Sequence, residues 1–301
     1  MMESIYNNLN FQELHCSTGS FIKNKIDHLI HCSKLIDSPI RGLYYLETPW
    51  GYSFPTINAK KNFSELWKDW SHYCFRQNII AEIIKIPPFF PIENLDISIF
   101  QELHIVSKTC ALKIKGKDFV QFFKKKTRYI IKKADKILTC RKANKQDSNE
   151  IYQLYKRSMQ NLNADKRFLL DLKTFDFLMQ DENITTHLAY FEGKLIGFVC
   201  IMFDLDISHY HLSATNDIGR KLNANYLLLN NAINESVQRG INLIHLGGGL
   251  TNKDDDPLFR FKSKFANLLF DYRIGLSIHN EKLFTKYRNT QSNKIIDFKD
   301  I

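Results

Sequence analysis

Ile241-Asn242-Leu243-Ile244-His245-Leu246-Gly247-Gly248-Gly249 reads as a short strand, Ile241 to Leu246, that runs straight into three glycines. Three glycines directly after a strand let the backbone pass close to a ligand or adopt positive φ, although a tight structural turn would use the same residues. Working back from them, Asn223 to Arg239 is a helix with Ala224, Leu227, Leu228, Ala232 and Val237 inward and Gly240 as its C-terminal stop. Before it lies a strand, Ile207 to Thr215, and before that a hairpin of Thr185 to Phe191 and Lys194 to Phe203, turned by Glu192-Gly193. Helices at 147–161 and 172–180 come first. Helix, antiparallel meander, helix and parallel returning strand describe an open mixed α/β sheet, in which ligands gather where neighbouring strands splay.

The segment Asn216 to Asn225 joins a strand of this sheet to a helix, and its backbone N–H groups suit a phosphate or an acyl carbonyl. It carries Gly219 and Arg220 but lacks the glycine density of a full phosphate loop. Beyond the triple glycine come Asp254-Asp255-Asp256 and Pro257-Leu258-Phe259-Arg260-Phe261-Lys262-Ser263-Lys264-Phe265. Alternation of Phe259, Phe261 and Phe265 with Arg260, Lys262 and Lys264 places cations beside an aromatic wall, a pattern an amphipathic edge shares. Upstream, Gly42 to Glu47 reads as a strand, Ser64 to Arg76 as an aromatic helix, and Ile79 to Ile86 as a β-branched strand stopped by Pro87-Pro88.

The net charge of +10 is concentrated: residues 108–145 hold 14 Lys and Arg against two acids, Asp118 and Asp135, which leaves 28 basic and 30 acidic residues elsewhere. A helix in this segment, capped by Asp118, sets Phe119, Phe122, Phe123, Ile130, Ile131 and Ala134 on one face. Lys124, Arg128, Lys132 and Lys136 recur every four residues on another. That stripe reads as a docking surface for phosphates of a nucleotide, a lipid diphosphate or tRNA, and a merely solvated face has the same pattern.

Hydrophobic residues at 44% and aromatics at 13% exclude a disordered chain, and 301 residues suffice for two modest domains. The longest apolar run, Leu195 to Phe203, is broken by Gly197 and falls far short of the roughly 20 residues a membrane span needs. Met1 to Gln12 lacks the pattern of a secretory signal, so a cytoplasmic protein is expected. Cys16, Cys32, Cys74, Cys110, Cys140 and Cys200 form no C-x-x-C pair, and no metal site is expected.

Taken together, several strings carry a resemblance. They are His211-Leu212-Ser213-Ala214-Thr215-Asn216, the helix entry Asn223-Ala224-Asn225, His245-Leu246-Gly247-Gly248-Gly249, and Leu258-Phe259 followed by Phe261-Lys262 and Phe265. Upstream, Thr48-Pro49-Trp50-Gly51-Tyr52, Thr127-Arg128 with Lys132-Lys133-Ala134, and Met159 to Ala164 extend it to residues 44–270. The chain resembles the GNAT-related acyltransferases akin to Fem-type peptidoglycan-bridge aminoacyltransferases. Trp50 stands where the family's turn usually has Tyr, and Ser53-Phe54 replaces a glycine pair.

The resemblance implies an acyl-CoA N-acyltransferase (GNAT-like) fold with two tandem halves and mixed sheets. They would comprise residues 1–115, completed by 276–301, and residues 116–275, facing across a cleft. It implies transfer of an acyl or aminoacyl group from acyl-CoA or aminoacyl-tRNA to an amino group of a sugar-nucleotide or lipid-linked envelope precursor, with no permanent cofactor. Lys262 would face the donor phosphate or the developing oxyanion, and His211 and Asp256 would steer the amine or remove its proton. Ser213, Asn216, Asn223, Gly247, Gly248 and Gly249 would hold the donor, and Arg128, Lys132, Trp50 and Tyr52 the acceptor. Partners would be the small-molecule donor, the sugar-linked acceptor, tRNA in one branch, and a membrane surface bearing the precursor. The competing expectations are an aminoacyl-tRNA-dependent transferase acting on a peptide or small molecule, and a non-catalytic basic nucleic-acid-binding module.

Overall fold

A computed structural model describes residues 4–290 except 16–19, 24, 39, 58–61, 92, 94–95, 115–118, 166–167 and 252. The expected Asp118 cap, Cys16 and the tail after residue 290 therefore lie outside the described residues. In chain order the elements are α1 (Leu9–His15), β1 (Ser20–Lys23), β2 (Leu29–Ile30), β3 (Cys32–Asp37), β4 (Tyr44–Glu47), β5 (Thr56–Ile57), α2 (Phe63–Arg76) and β6 (Ile79–Ile86). There follow β7 (Glu102–Lys113), α3 (Lys125–Asp135), β8 (Thr139–Lys142), α4 (Ser148–Asn161), α5 (Leu172–Leu178), β9 (Ile184–Phe191), β10 (Lys194–Asp204) and β11 (Ile207–Thr215). The last are α6 (Asp217–Lys221), α7 (Ala224–Gln238), β12 (Leu243–Gly247), α8 (Pro257–Lys262), β13 (Leu268–Ile278) and α9 (Glu281–Thr290). Two compact units result, Met1–Lys108 with Phe270–Ile301, and Thr109–Leu269, and the boundaries fall inside β7 and β13.

In the first unit the strand order is β1-β3-β4-β6-β13, with β4 and β6 parallel and the other pairs antiparallel. The β6 sequence Ile-Ile-Ala-Glu-Ile-Ile-Lys-Ile has no polar alternation because both of its faces are covered. One face carries Ile79, Ile84 and Ile86 into a core with Leu46, Trp67 and Trp70, and the other carries Ile80 and Ile83 onto Ile274, Leu276, Phe284 and Tyr287. The one charged residue of this strand facing inward, Glu82, is fully buried. His31 Nε2 lies 2.6 Å from its Oε1, and Trp70 Nε1 donates to its Oε2 at 2.9 Å.

The second unit has strand order β7-β12-β11-β10-β9-β8. The β9–β10 hairpin turns through Glu192 and Gly193, both at positive φ (49° and 73°), the backbone a type I′ turn demands. From β10, Val199 and Ile201 pack with Leu227, Leu228 and Ile233 of α7 and with Phe123, Ile131 and Ala134 from the α3 region. Phe198 turns the other way, onto Phe175 of α5, which in turn meets Tyr155 of α4. The helix expected around Phe119 begins later: α3 starts at Lys125 with Lys124 as an N-cap that makes no side-chain hydrogen bond. Phe119 and Phe123 are buried as expected, but Phe122 is exposed, because a 3₁₀ turn precedes the α-helix and shifts the phase of the apolar positions.

Candidate active site

β11 and β12 run parallel and pair from Ile207–Leu243 to His209–His245, where the ladder ends. On its other edge β11 stays paired with β10 as far as Thr215, and the register shifts so that Tyr210 opposes Ile201 while Leu212 opposes Cys200. His211 is thus the extra residue of a β-bulge. The bulge resets the in-out alternation: Leu212 and Ala214 enter the core, while Tyr210 and Ser213 share a side and their hydroxyls hydrogen-bond to each other.

Two of the three glycines after β12 have a defined reason to be glycine. Gly247 has φ +77°, and a Cβ there would lie 3.2 Å from Lys262 Nζ. At Gly249 a Cβ would lie 2.5 Å from Asp256 Oδ1, so that carboxylate occupies the space a side chain would need. Asp256 caps α8, its Oδ1 accepting from the N–H groups of Leu258 and Phe259 at 2.9 Å each. Its Oδ2 accepts from Leu250 N, Thr251 N and Thr251 Oγ1 at 3.0–3.1 Å. Burial opposes ionisation of Asp256, but these donors outweigh it and hold the pKa below the usual carboxylate range. The geometry makes Asp256 a staple of the 250–256 loop, with both oxygens engaged, rather than a base open to an amine.

Pro257 at the first turn and the Asp256 cap make this segment a helix, so the expected strand-like alternation of cations and aromatics does not form. Arg260 and Lys264 are exposed, while Lys262 turns inward and is only 7% exposed. Its Nζ donates to the Gly248 carbonyl at 2.8 Å and lies 5.3 Å from the centre of the Tyr210 ring. Burial lowers its pKa to about 8, with the nearby Cys110 and Asp256 acting in the opposite direction. His209 and His245, stacked edge to face at 5.7 Å, are buried, and burial takes the His209 pKa down to about 3. His245 is held well below its usual value by burial, by His209 and by Lys262. Both rings are neutral at physiological pH.

Asn216 caps α6, its Oδ1 accepting from Gly219 N at 2.8 Å. Asn223 adopts the left-handed conformation (φ 59°) and opens α7 without a side-chain cap hydrogen bond. Of the expected site residues, then, Lys262, Asp256, Gly247, Gly248 and Gly249 come together, and Ser213 joins them through Tyr210. Asn216 and Asn223 mark the two ends of α6. Arg128 and Lys132 are exposed on α3. Trp50 and Tyr52 belong to the first unit, where Gln12 clamps the Trp50 backbone at both N (2.7 Å) and O (2.9 Å). Tyr52 there meets Tyr6 and Tyr272 edge-on. Tyr210 is the residue sequence reasoning passed over. Its aromatic character was visible, but the bulge that aims it at Lys262 depends on pairing with β10.

Among the described residues no group of His, Cys, Asp and Glu side chains could hold a metal ion, and no helix is long and apolar enough to cross a membrane. Residues 122–263, within the second unit, match the family model described as an acetyltransferase (GNAT) domain. That match, over just under half of the chain, supports an N-acyltransferase. Acyl-CoA is the co-substrate of that family. The fold is also that of the solved structure of FemX, which is 13% identical with a TM-score of 0.71, covering 95% of this chain and 99% of that one. L-PGS from Bacillus licheniformis is 12% identical at a TM-score of 0.64, covering 94% of this chain and 90% of that one. The C-terminal domain of a putative lysylphosphatidylglycerol synthetase from Agrobacterium fabrum is 12% identical at 0.61, covering 96% and 92%. At these identities the likeness is one of fold. No curated protein sequence matches the chain.

Proposed function

We propose that the chain moves an acyl or aminoacyl group from an activated donor, acyl-CoA or aminoacyl-tRNA, to an amino group of a sugar-nucleotide or lipid-linked precursor of the cell envelope. The observation that carries this reading is the buried Lys262 ammonium, held against the Gly248 carbonyl beside the point where β11 and β12 part. A protein leaves a cation this buried where negative charge is to be met.

The reaction needs no protein nucleophile. The acceptor amine attacks the thioester or ester carbonyl carbon, the carbonyl π electrons move onto oxygen, and the tetrahedral intermediate collapses with loss of the donor's thiolate or ribose alkoxide. The proton shed by the amine neutralises that leaving group. Lys262 stabilises the oxyanion or grips the donor phosphate, and Ser213 orients the donor. The start of α6 at Asn216 and the start of α7 at Asn223, which opens without a side-chain cap, offer backbone amides to donor phosphates. Positioning and charge stabilisation of this kind are each worth several kcal/mol. On the acceptor side, Arg128 and Lys132 are the proposed phosphate contacts. The aminoacyl-tRNA branch of the donor rests on the resemblance of the sequence to Fem-type aminoacyltransferases, with which the FemX fold likeness agrees.

Calorimetry with acetyl-CoA, longer acyl-CoAs and charged tRNA in parallel tests the donor. Binding of one class below millimolar concentration is the expected result. If none of them binds, the transferase reading fails.

A further inference from the structure

The inward face of α3 is accounted for by the core, where Thr127, Ile131 and Ala134 are buried, but of its outward face only Arg128 and Lys132 have so far been given a role. Lys125, Tyr129, Lys132 and Lys136 follow one another at spacings of four, three and four, which puts them on one side of the helix, with Lys133 and Arg128 flanking. Segment 124–136 holds seven cations against the single acid Asp135. All seven cations are exposed, and none is in an ion pair among the described residues. Set among them are three exposed apolar side chains: Tyr129 at 67% in the middle of the face, Phe122 at 46% before the helix and Ile137 at 45% after it.

We propose that this face docks the protein onto an anionic lipid bilayer. Clustered cations are drawn to anionic headgroups at roughly 1 kcal/mol each, which is about fivefold in affinity per residue. Tyrosine sits well at the headgroup level, with its ring among the acyl-chain ends and its hydroxyl in water. Phe122 and Ile137, exposed just before and just after the helix, add apolar area, and the long lysine stems carry their charges outward. An RNA partner would use the cations and could stack on Tyr129, but it would give Phe122 and Ile137 no function. The purpose of such docking rests on the lipid-linked branch of the proposed function, whereas the docking itself rests on α3 alone.

The full chain should co-sediment with phosphatidylcholine vesicles that contain phosphatidylglycerol, not with phosphatidylcholine alone, and added salt should release it. Reversing three charges at positions given no role in catalysis or acceptor binding, Lys125→Glu, Lys133→Glu and Lys136→Glu together, should weaken vesicle binding by about a hundredfold or more. Tyr129→Ala should weaken it several-fold at unchanged charge, and Tyr129→Trp should strengthen it. All of these positions are exposed, and a thermal melt checks that each variant is folded. Equal binding to neutral vesicles, no binding to either, undiminished binding by the triple variant, or RNA binding that vesicles fail to compete away would each overturn the proposal. Docking without amine acylation would sink the transferase reading and leave this one standing, and acylation without docking would do the reverse.

Discussion

Burial that brings the Lys262 pKa from 10.5 to about 8 has two consequences of opposite sign. Below pH 8 the folded state holds this proton less firmly than the unfolded chain does, so the ammonium costs on the order of 3 kcal/mol of stability at neutral pH, a cost that fades as pH rises from about 8 to 10.5. Lys262→Met should therefore raise the thermal midpoint at pH 7, measured by calorimetry, while slowing transfer as much as any other variant that removes the ammonium. If the ammonium stabilises the oxyanion, Lys262→Ala should lower kcat by about 10² to 10³. Lys264, exposed and bonded to the Tyr226 hydroxyl at 2.7 Å, is the internal control and should leave kcat near the wild-type value. kcat/KM should also fall as pH rises through about 8, because the protonated form is the active one, and a rise there would instead make neutral Lys262 a base. Unchanged kinetics in Lys262→Ala would move the active site elsewhere. Lys262 and the glycines could be picked from the sequence because their chemistry is local. The engagement of both Asp256 oxygens, and the side of β11 that Tyr210 takes, depend on contacts made only after the chain folds back.

At the scale of elements, the glycine run after β12 separates two kinds of cost that a single substitution would confound. Gly247 and Gly240 have nearly the same φ, +77° and +78°, but a Cβ meets the Lys262 ammonium at the first position and nothing within 4 Å at the second. Gly240→Ala should lose about 1–2 kcal/mol of stability from the left-handed backbone alone. Gly247→Ala should lose a similar amount and in addition lower kcat/KM at least tenfold, since displacing the ammonium by a fraction of an ångström spoils its aim. Equal kinetics in the two variants, by single-turnover assay, would mean that Gly247 serves only the turn. Elements with a strong local period were legible in the sequence: the β9–β10 hairpin, β11, α7 and the buried β6 all fall within three residues of their expected ends. The two-residue strands β2 and β5 were not, being too short to show alternation. Nor was β13, whose half-buried pattern is set by partners nearly 200 residues away. The run Pro257 to Phe265 misled because an alternating pattern six residues long fits either period, and the Asp-Pro cap decided in favour of helix.

For the molecule as a whole, both units bury histidines that folding keeps neutral, and these push in the same direction with pH. Burial lowers the pKa of His15 to about 4 in the first unit, and in the second lowers His187 to about 4 and His209 to about 3. His245 is lowered further by burial, His209 and Lys262. An unfolded histidine titrates near 6.5, so below that pH the unfolded chain takes up protons that the folded one refuses, and stability falls with pH until the folded values are reached. Between pH 7 and 5 each such residue costs on the order of 2 kcal/mol, and three or four of them together approach the 5–15 kcal/mol that typically holds a protein folded. Glu82 adds to this at lower pH. Burial opposes its ionisation, but His31 and His279 outweigh that and depress its pKa, so its contribution is present above about 4.3 and is lost as the carboxylate is forced to protonate. The thermal midpoint should therefore drop steeply between pH 7 and 5, before ordinary carboxylates titrate, and drop again below pH 4. His209→Phe, which keeps a ring against His245 and removes one titrating group, should flatten the upper part of the curve and leave the lower part unchanged. A midpoint that stays level down to pH 5 in the unaltered protein would show that the histidines open to water at little cost, and the acid limb would then belong to Glu82 alone.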